Sequence, residues 1–358
     1  MKYSQTDLIR PAVRALGAYP APQAGELIKL STMENPYRWP EQLVDKWLEK
    51  LRVVHINRYP SADAGALKDA LRTYYDIDSE TPMLLGNGSD ELIQLLLLAL
   101  GSTSSTVLAP SPTFVMYRHS SIATGSDYIS VPLAASDFRL SHNLMLDAIE
   151  RHQPAITFIS YPNNPTGNLF ERTVVDDIIG AAKGLVVLDE AYAPFAKSTY
   201  LDQLDKHPNL LVMRTLSKVG LAGLRLGVLF GAPQWLHEFE KLRLPYNINS
   251  LSQVSAQFAL EHREIFDDQT RQICADREIL MQGLSALDGI EIFPTAANFI
   301  LLRTQEGQAL RIYTELQTHG VLVKNLHGSD PLLRDCLRVS VGTPTQNRVF
   351  LTGLAKVV

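Results

Sequence analysis

Short apolar runs alternate with polar clusters and longer helix-like stretches through the middle of the chain. Between about residue 80 and residue 231, each run is leucine-rich or β-branched, and a stretch of ten or more residues follows most of them. This alternation predicts an α/β fold with a mostly parallel sheet that is buried on both faces. The predicted strands are 106–109, 156–160, 185–188, 210–213 and 226–230.

The pattern changes after Pro245. A long amphipathic stretch predicts a helix over about 250–287, and later short apolar runs predict strands at 290–293, 298–302, 321–323 and 337–341. These elements indicate a smaller α+β domain that the long helix connects to the larger one. We therefore predict an amino-terminal arm over 1–29, a large α/β domain over 56–252, and a small α+β domain from 30–55 and 253–358.

Composition narrows the classes of partner. The chain is 46% hydrophobic and 20% charged, which is typical of a globular protein. Its length of 358 residues favours two domains. A net charge of −5 provides no field for nucleic acid or an anionic membrane, so we expect small-molecule partners. Cys274 and Cys336 lack metal-ligand spacing, which predicts reduced thiols, no metal site and a cytoplasmic location. No apolar stretch is long enough to cross a bilayer or to serve as a signal peptide.

Polar clusters directly follow four of the predicted strands. Carboxyl ends of parallel strands meet at one edge of a sheet, which is where such sheets bind ligands. We therefore expect the four clusters to converge on one cleft. They are Pro110–Phe114, Tyr161–Gly167, Asp189–Tyr192 and Arg214–Lys218.

Three residues of these clusters fit pyridoxal 5'-phosphate. This cofactor needs an amine for its aldehyde, a carboxylate at its pyridine nitrogen and a hydrogen-bond donor at its phenolic oxygen. Lys218, Asp189 and Asn164 supply these groups in turn, with Tyr192 as a second donor, and Phe114 is placed to stack on the ring. A surface lysine, a helix N-cap, a turn and a core aromatic are the ordinary explanations for such residues taken singly. Their combination favours the cofactor, with Lys218, Asp189 and Tyr192 as catalytic residues.

The cofactor phosphate has several candidate ligands. The segment Gly86-Asn-Gly-Ser-Asp90 opens a predicted helix over 91–100, so it offers free backbone N–H groups and the positive end of that helix. A simple N-cap at Ser89 explains the same residues. Two hydroxyls and one arginine follow the strand that leads to Lys218. The candidates are Gly88, Ser89, Asp90, Thr215, Ser217 and Arg225.

Four segments match the signature of one enzyme family. They are Ser160-Tyr-Pro-Asn-Asn-Pro-Thr-Gly167, Asp189-Glu-Ala-Tyr192, Ser217-Lys218 with Arg225, and Leu337-Arg-Val-Ser-Val-Gly-Thr343. These segments resemble the fold type I, class II aminotransferases. Within that family, the chain is similar to the histidinol-phosphate aminotransferases through Met33-Glu-Asn-Pro36, Asn57-Arg-Tyr-Pro60, Gly86-Asn-Gly-Ser-Asp-Glu91 and the spacing from Lys324 to Arg338.

The resemblance implies a seven-stranded sheet in the large domain and a specific reaction. It implies that an amino group passes between L-histidinol phosphate and 2-oxoglutarate, giving imidazole-acetol phosphate and L-glutamate, as a step of histidine biosynthesis. It also implies a homodimer with shared active sites, in which Tyr59 reaches the cofactor phosphate of the neighbouring subunit. The substrate-binding residues that it implies are Tyr19, Asn35, Tyr246, Lys324 and Arg338.

Two departures from the family pattern and three alternative functions bear on this prediction. Lys324 stands where many members carry an arginine, and a lysine lacks the bidentate fork. Phe114 stands where a tyrosine is common.

An aromatic-amino-acid aminotransferase and a decarboxylase would keep the same cofactor contacts. A regulatory protein of this fold would carry a basic DNA-binding segment, and none is visible before Tyr19.

Overall fold

The computed structural model describes residues 8–18, 23–100 and 105–358. In this part of the chain, seven strands form one sheet in the order β2-β8-β7-β6-β5-β3-β4, and only β8 runs opposite to the others. The strands of this sheet are β2 (Met83–Asn87), β3 (Thr106–Ser111), β4 (Asp127–Pro132), β5 (Ile156–Ser160), β6 (Leu185–Asp189), β7 (Leu210–Thr215) and β8 (Leu226–Gly231), and β1 (Ile28–Lys29) precedes them in the chain.

Helices cover both faces of this sheet. Side chains alternate across each central strand, so that Phe158, Val187 and Met213 face one helical layer while Ile159 and Leu188 face the other. Burial on both faces explains why these strands are continuous apolar runs. The helices before and within this unit are α1 (Pro11–Arg14), α2 (Glu41–Arg52), α3 (Gly65–Tyr75), α4 (Ser89–Leu100), α5 (Val115–Thr124), α6 (His142–His152), α7 (Arg172–Ala181), α8 (Ala193–Ala196), α9 (Pro233–Glu240) and α10 (Ser250–Glu261).

A second, antiparallel sheet has its own apolar core. Its strand order is β12-β13-β10-β9, from β9 (Ile290–Ile292), β10 (Phe299–Thr304), β12 (Lys324–Asn325) and β13 (Cys336–Ser340). Strand β11 (Val321–Leu322) pairs with β1 and ties the amino-terminal segment to this unit. Its helices are α11 (Arg263–Ser285), α12 (Ala309–Thr318) and α13 (Pro344–Val357). The predicted fold class, α/β with a mostly parallel seven-stranded sheet and a smaller α+β unit, is confirmed.

The connection between the two units differs from the prediction of one long helix. The backbone of His262 has φ −117° and ψ 35°, which ends α10 at Glu261 and starts α11 at Arg263. The apolar periodicity continues across this break, so the sequence pattern does not reveal it. The predicted domain boundaries stay a prediction.

Trp47 of α2 donates a hydrogen bond to Ser255 of α10, at 2.8 Å. Both helices contribute to the core shared with the large sheet. No helix in the described ranges combines the length and apolar character that a membrane span requires.

Candidate active site

The predicted residues Asn164, Tyr192, Lys218 and Arg338 lie together. Asn164 Nδ2 donates to Tyr192 Oη at 3.2 Å, and Arg338 Nη1 donates to Asn164 Oδ1 at 2.5 Å. Lys218 Nζ lies 5.6 Å from the centre of the Tyr192 ring. Three of these residues follow strands of the large sheet, whereas Arg338 lies on β13 of the second sheet. The cluster therefore forms where the two sheets meet.

Lys218 is a buried amine on an irregular turn. It follows β7 in a π-helical turn, Ser217–Leu221, where Gly220 has φ 114°, a conformation that favours glycine. Burial lowers the pKa of Lys218 to about 8, and the positive charge of Arg338 lowers it as well. A larger share of this amine is unprotonated at neutral pH than for a surface lysine, which suits a nucleophile or a proton acceptor.

Asp189 ends β6 and is only 3% exposed. Burial raises the pKa of its carboxyl to about 6, although two hydrogen bonds oppose this shift. Tyr117 Oη donates to Oδ2 at 2.7 Å, and the Ala191 N–H donates to Oδ1 at 3.1 Å. A buried carboxylate is stable when a cation joins such donors.

The predicted phosphate ligands lie side by side at one end of the large sheet. The strand register places Gly227 beside Gly86 on one side and beside Thr215 on the other. A Cβ at Gly227 would lie 2.6 Å from Ser89 N, so only glycine lets β8 approach the start of α4. Thr215 Oγ1 lies 2.8 Å from Ser217 Oγ. The start of α4 and both hydroxyls therefore belong to one region.

Arg225 connects this region to Asp90. Its Nη2 donates to Asp90 Oδ2 at 3.3 Å, and a Cβ at Gly88 would lie 2.7 Å from the same nitrogen. Gly88 has φ 85° and so combines backbone freedom with space for the guanidinium. Asp90, which was predicted as a phosphate ligand, therefore contacts the guanidinium of Arg225, another predicted phosphate ligand.

Residues 31–35, which precede α2, contact the cluster that contains Lys218 and Arg338. Asn35 Nδ2 donates to the Val219 carbonyl at 3.2 Å, next to Lys218, and Arg338 Nη2 donates to the Ser31 carbonyl at 3.1 Å. Lys324 lies beside Arg338 in the register of β12 and β13. Burial, followed by the charge of Arg338, lowers the pKa of Lys324. Two cations therefore stand next to each other at this edge of the cluster.

Phe114 lies directly before α5, and its ring packs edge-on against Tyr117 at 5.5 Å. Tyr59 and Tyr246 lie elsewhere. Their rings stack at 4.5 Å on the surface, and Tyr59 is 81% exposed. The structure shows no contact between this pair and Lys218. Tyr19 lies outside the described residues.

Sequence reasoning missed Tyr117, whose hydroxyl binds Asp189. It lies three residues after Phe114 and resembles any apolar helix residue, so no pattern in the chain distinguishes it. Across the described residues, no group of three or more His, Cys, Asp or Glu could hold a metal ion.

The donor set fits pyridoxal phosphate. In the described part of the chain, no lysine or arginine forms an ion pair with Asp189, so this buried carboxylate can take a protonated pyridine nitrogen as its cation. Lys218 offers an amine, and Asn164 and Tyr192 offer hydrogen bonds. The start of α4 offers backbone N–H groups, Thr215 and Ser217 offer hydroxyls, and Arg225 offers a guanidinium, all of which are groups that bind anions.

Comparisons with known proteins agree with this chemistry. Residues 25–354 match the family model described as "Aminotransferase class I and II". Histidinol-phosphate aminotransferase 2 of Nitrosococcus oceani is 52% identical over 346 residues, covering 97% of this chain and 96% of the relative. Histidinol-phosphate aminotransferase of Chromobacterium violaceum is 46% identical over 356 residues, covering 99% of each.

A solved structure of similar shape supports the fold. The histidinol-phosphate aminotransferase of Sinorhizobium meliloti, in complex with pyridoxal-5'-phosphate, has a TM-score of 0.88. It is 22% identical, and the match covers 99% of this chain and 98% of that one. The family match and the two relatives together show that this chain belongs to the class I and II aminotransferases.

Proposed function

We propose that the chain is a transaminase that moves an amino group between L-histidinol phosphate and 2-oxoglutarate. The products are imidazole-acetol phosphate and L-glutamate, a step in histidine biosynthesis. The proposal is carried by a buried lysine of lowered pKa beside paired cations, Arg338 and Lys324. Relatives of 46–52% identity that carry the name histidinol-phosphate aminotransferase support the choice of substrate.

The cofactor has a defined set of ligands in this proposal. When bound, pyridoxal phosphate supplies an aldehyde and a ring that withdraws electrons from the reacting carbon. Lys218 Nζ would hold the aldehyde, and Asp189 would pair with the pyridine nitrogen. Asn164 Nδ2 and Tyr192 Oη would donate to the phenolic oxygen. The start of α4 would hold the phosphate together with Arg225, Thr215 and Ser217.

Lys218 also acts on protons. Its pKa of about 8 leaves part of the amine unprotonated at neutral pH, so Nζ would accept the proton from the substrate carbon and pass it to the cofactor. The turn that carries Lys218 is fixed by Asn35, which binds the next carbonyl, and by buried Val219 and Leu221. Fixed geometry of this kind favours proton transfer.

The substrate anions bind at the other edge of the cluster. Arg338 is 8% exposed and held by Asn164 and Ser31, so its guanidinium is oriented before a ligand arrives. Lys324 adds a second charge. We assign the phosphate of histidinol phosphate and the carboxylate of glutamate to these cations in the two half-reactions, with Tyr19 and Tyr246 completing the phosphate pocket.

The proposal includes a homodimer with shared sites. Tyr59 and Tyr246 stand apart from Lys218, which fits residues that act in a neighbouring subunit. Large apolar side chains close to them in the sequence are exposed, and contiguous exposed apolar surface marks interfaces. They include Val53 at 73%, Ile56 at 79%, Leu242 at 46% and Leu244 at 69% exposure. We also propose a cytoplasmic location, where the free thiols of Cys274 and Cys336 stay reduced.

Steady-state turnover tests the substrate assignment. Purified protein is assayed with 2-oxoglutarate as acceptor and with histidinol phosphate, histidinol, phenylalanine and histidine as donors. The proposal predicts the highest kcat/KM for histidinol phosphate. Equal kcat/KM for unphosphorylated histidinol would overturn the phosphate pocket. A higher kcat/KM for phenylalanine would favour the aromatic-amino-acid alternative, and release of carbon dioxide would favour a decarboxylase.

A further inference from the structure

Tyr117 is a buried tyrosine that the proposed reaction does not yet use. It lies in α5 and is 0% exposed. Its ring stacks on Phe158 at 4.6 Å with an interplanar angle of 7°, and the ring of Phe114 closes its edge. These contacts fix the direction of the hydroxyl, which donates to Asp189 Oδ2 at 2.7 Å.

The phenolic hydrogen of Tyr117 is donated to the carboxylate of Asp189, while a hydrogen bond with Ser160 acts on the same hydroxyl. Burial, and then the charge of Asp189, raise the pKa of Tyr117 well above its usual value, so the phenol stays protonated. The other carboxylate oxygen of Asp189 accepts from the Ala191 N–H. One donor on each oxygen sets the plane of the carboxylate and leaves the remaining lone pairs for a ligand.

We infer that Tyr117 is a positioning residue for Asp189, whose carboxylate it orients and keeps ionised so that the cofactor's ring nitrogen retains its proton. The inference rests on the proposed function, because this carboxylate matters for catalysis only if the site holds pyridoxal phosphate. Tyr117 itself does not touch the reacting atoms.

One proton would be shared between a carboxylate oxygen of Asp189 and the ring nitrogen of the bound cofactor. A hydrogen bond to the ionised form stabilises a carboxylate and makes it less basic. Without the Tyr117 hydroxyl, Asp189 becomes more basic, and the proton on the ring nitrogen moves toward a carboxylate oxygen. The pair gains and loses no proton in this step. The ring then withdraws electrons less strongly from the reacting carbon.

Nitrogen NMR of the holoenzyme tests the inference directly. The protein is loaded with cofactor labelled with ¹⁵N in the ring, as wild type, Tyr117→Phe and Tyr200→Phe. Tyr200 is a matched control, since it is also 0% exposed and its hydroxyl binds the Arg172 carbonyl and Asp176 rather than Asp189. In Tyr117→Phe we expect the ring-nitrogen resonance to shift toward that of neutral pyridine, while Tyr200→Phe keeps the wild-type shift.

Kinetics separate positioning from folding. Tyr117→Phe should lower kcat by about tenfold, the effect of one hydrogen bond to a charged group, and leave KM within about twofold. In an Asp189→Asn background, the same substitution should change kcat by less than about twofold, because the residue acts through the carboxylate. A full further loss of tenfold in that background would overturn the inference.

Different results would overturn the role of Tyr117 and the proposed function. If wild-type protein binds the cofactor with a protonated ring nitrogen and Tyr117→Phe shows the same resonance, the inference is wrong and the proposed function stands. If wild-type protein binds no cofactor at Lys218, the proposed function and the inference are both overturned. A ring-nitrogen shift of equal size in Tyr200→Phe would also overturn the inference, since any lost buried hydroxyl would then suffice.

Discussion

The cluster around Lys218 and the stacked pair of Tyr59 and Tyr246 differ in almost every physical respect. Asp189 and Lys218 are buried, their pKa values are shifted, and neighbouring side chains fix them within one chain. The tyrosine pair lies on the surface, with Tyr59 81% exposed. One region is a buried cluster of polar and charged groups, and the other is an exposed aromatic pair on the surface.

The two regions also affect the stability of the fold differently. Burying an amine and a carboxylate without a direct ion pair destabilises a fold, and such groups cluster at functional sites. An exposed aromatic pair costs little and is typical of an interface. Substitutions in the buried cluster should therefore change the rate of the reaction, whereas substitutions in the tyrosine pair should change association and cofactor retention.

Removal of the Lys218 amine should have the largest effect. We expect Lys218→Ala to abolish turnover, because no other group can hold the cofactor aldehyde and move the proton. Asp189, Asn164 and the phosphate ligands remain, so the variant should still bind the cofactor, measured by equilibrium dialysis. Lys241→Ala, at an exposed lysine paired with Glu238, serves as the control. Turnover by Lys218→Ala above about one per cent of wild type would contradict the assignment.

Neutralising Asp189 should rank second. Asp189→Asn fills the same space but cannot keep the ring nitrogen protonated, so kcat should drop by orders of magnitude while cofactor binding changes less. Single-turnover kinetics measure this drop. If the rate stays within about threefold of wild type, equivalent to less than ~1 kcal/mol of barrier, the electron-withdrawing role fails for this residue.

Loss of the Arg338 guanidinium should slow both half-reactions. One charge-assisted hydrogen bond contributes ~1.5–3 kcal/mol, so Arg338→Ala should reduce each half-reaction by at least about tenfold. The two half-reactions are followed separately with histidinol phosphate and with glutamate. Arg334→Ala is a suitable control, since Arg334 is exposed and bonds Glu306. An effect confined to one substrate would show that the two anions bind different cations.

The surface pair should give the smallest effect. Tyr59→Phe removes one hydroxyl, so we expect the cofactor Kd to rise by about three- to tenfold with little change in kcat. Fluorescence titration measures this Kd, and sedimentation measures the oligomeric state. A wild-type monomer with full activity would contradict shared sites and would leave Tyr59 without a role.

The strands and the buried site could be predicted because they follow simple rules. Lys218, Asp189 and Asn164 each come just after an apolar run, and carboxyl ends of parallel strands converge. Contacts that depend on side-chain direction could not be predicted. The hydroxyl of Tyr117 meets a carboxylate that lies 72 residues further along the chain. No periodicity encodes that meeting.

Other features escaped prediction for separate reasons. Strand β4 pairs with β3 alone in the large sheet and is only partly buried. Its polar residues interrupt the apolar run by which the other strands were predicted. The break at His262 leaves the apolar spacing of the flanking helices intact. The distance of Tyr59 from Lys218 depends on how the whole chain packs, which no local pattern encodes. Only the family resemblance implies that Tyr59 acts in the neighbouring subunit.

Mapping the cofactor attachment tests the central claim most directly. Holoenzyme is reduced with borohydride, digested, and analysed by mass spectrometry for the peptide that carries the reduced cofactor. We expect one modified residue, Lys218, at a stoichiometry near one per chain, and no label in Lys218→Ala. Label on Lys324 or another lysine, or wild-type protein without bound cofactor at equimolar loading, would contradict the account.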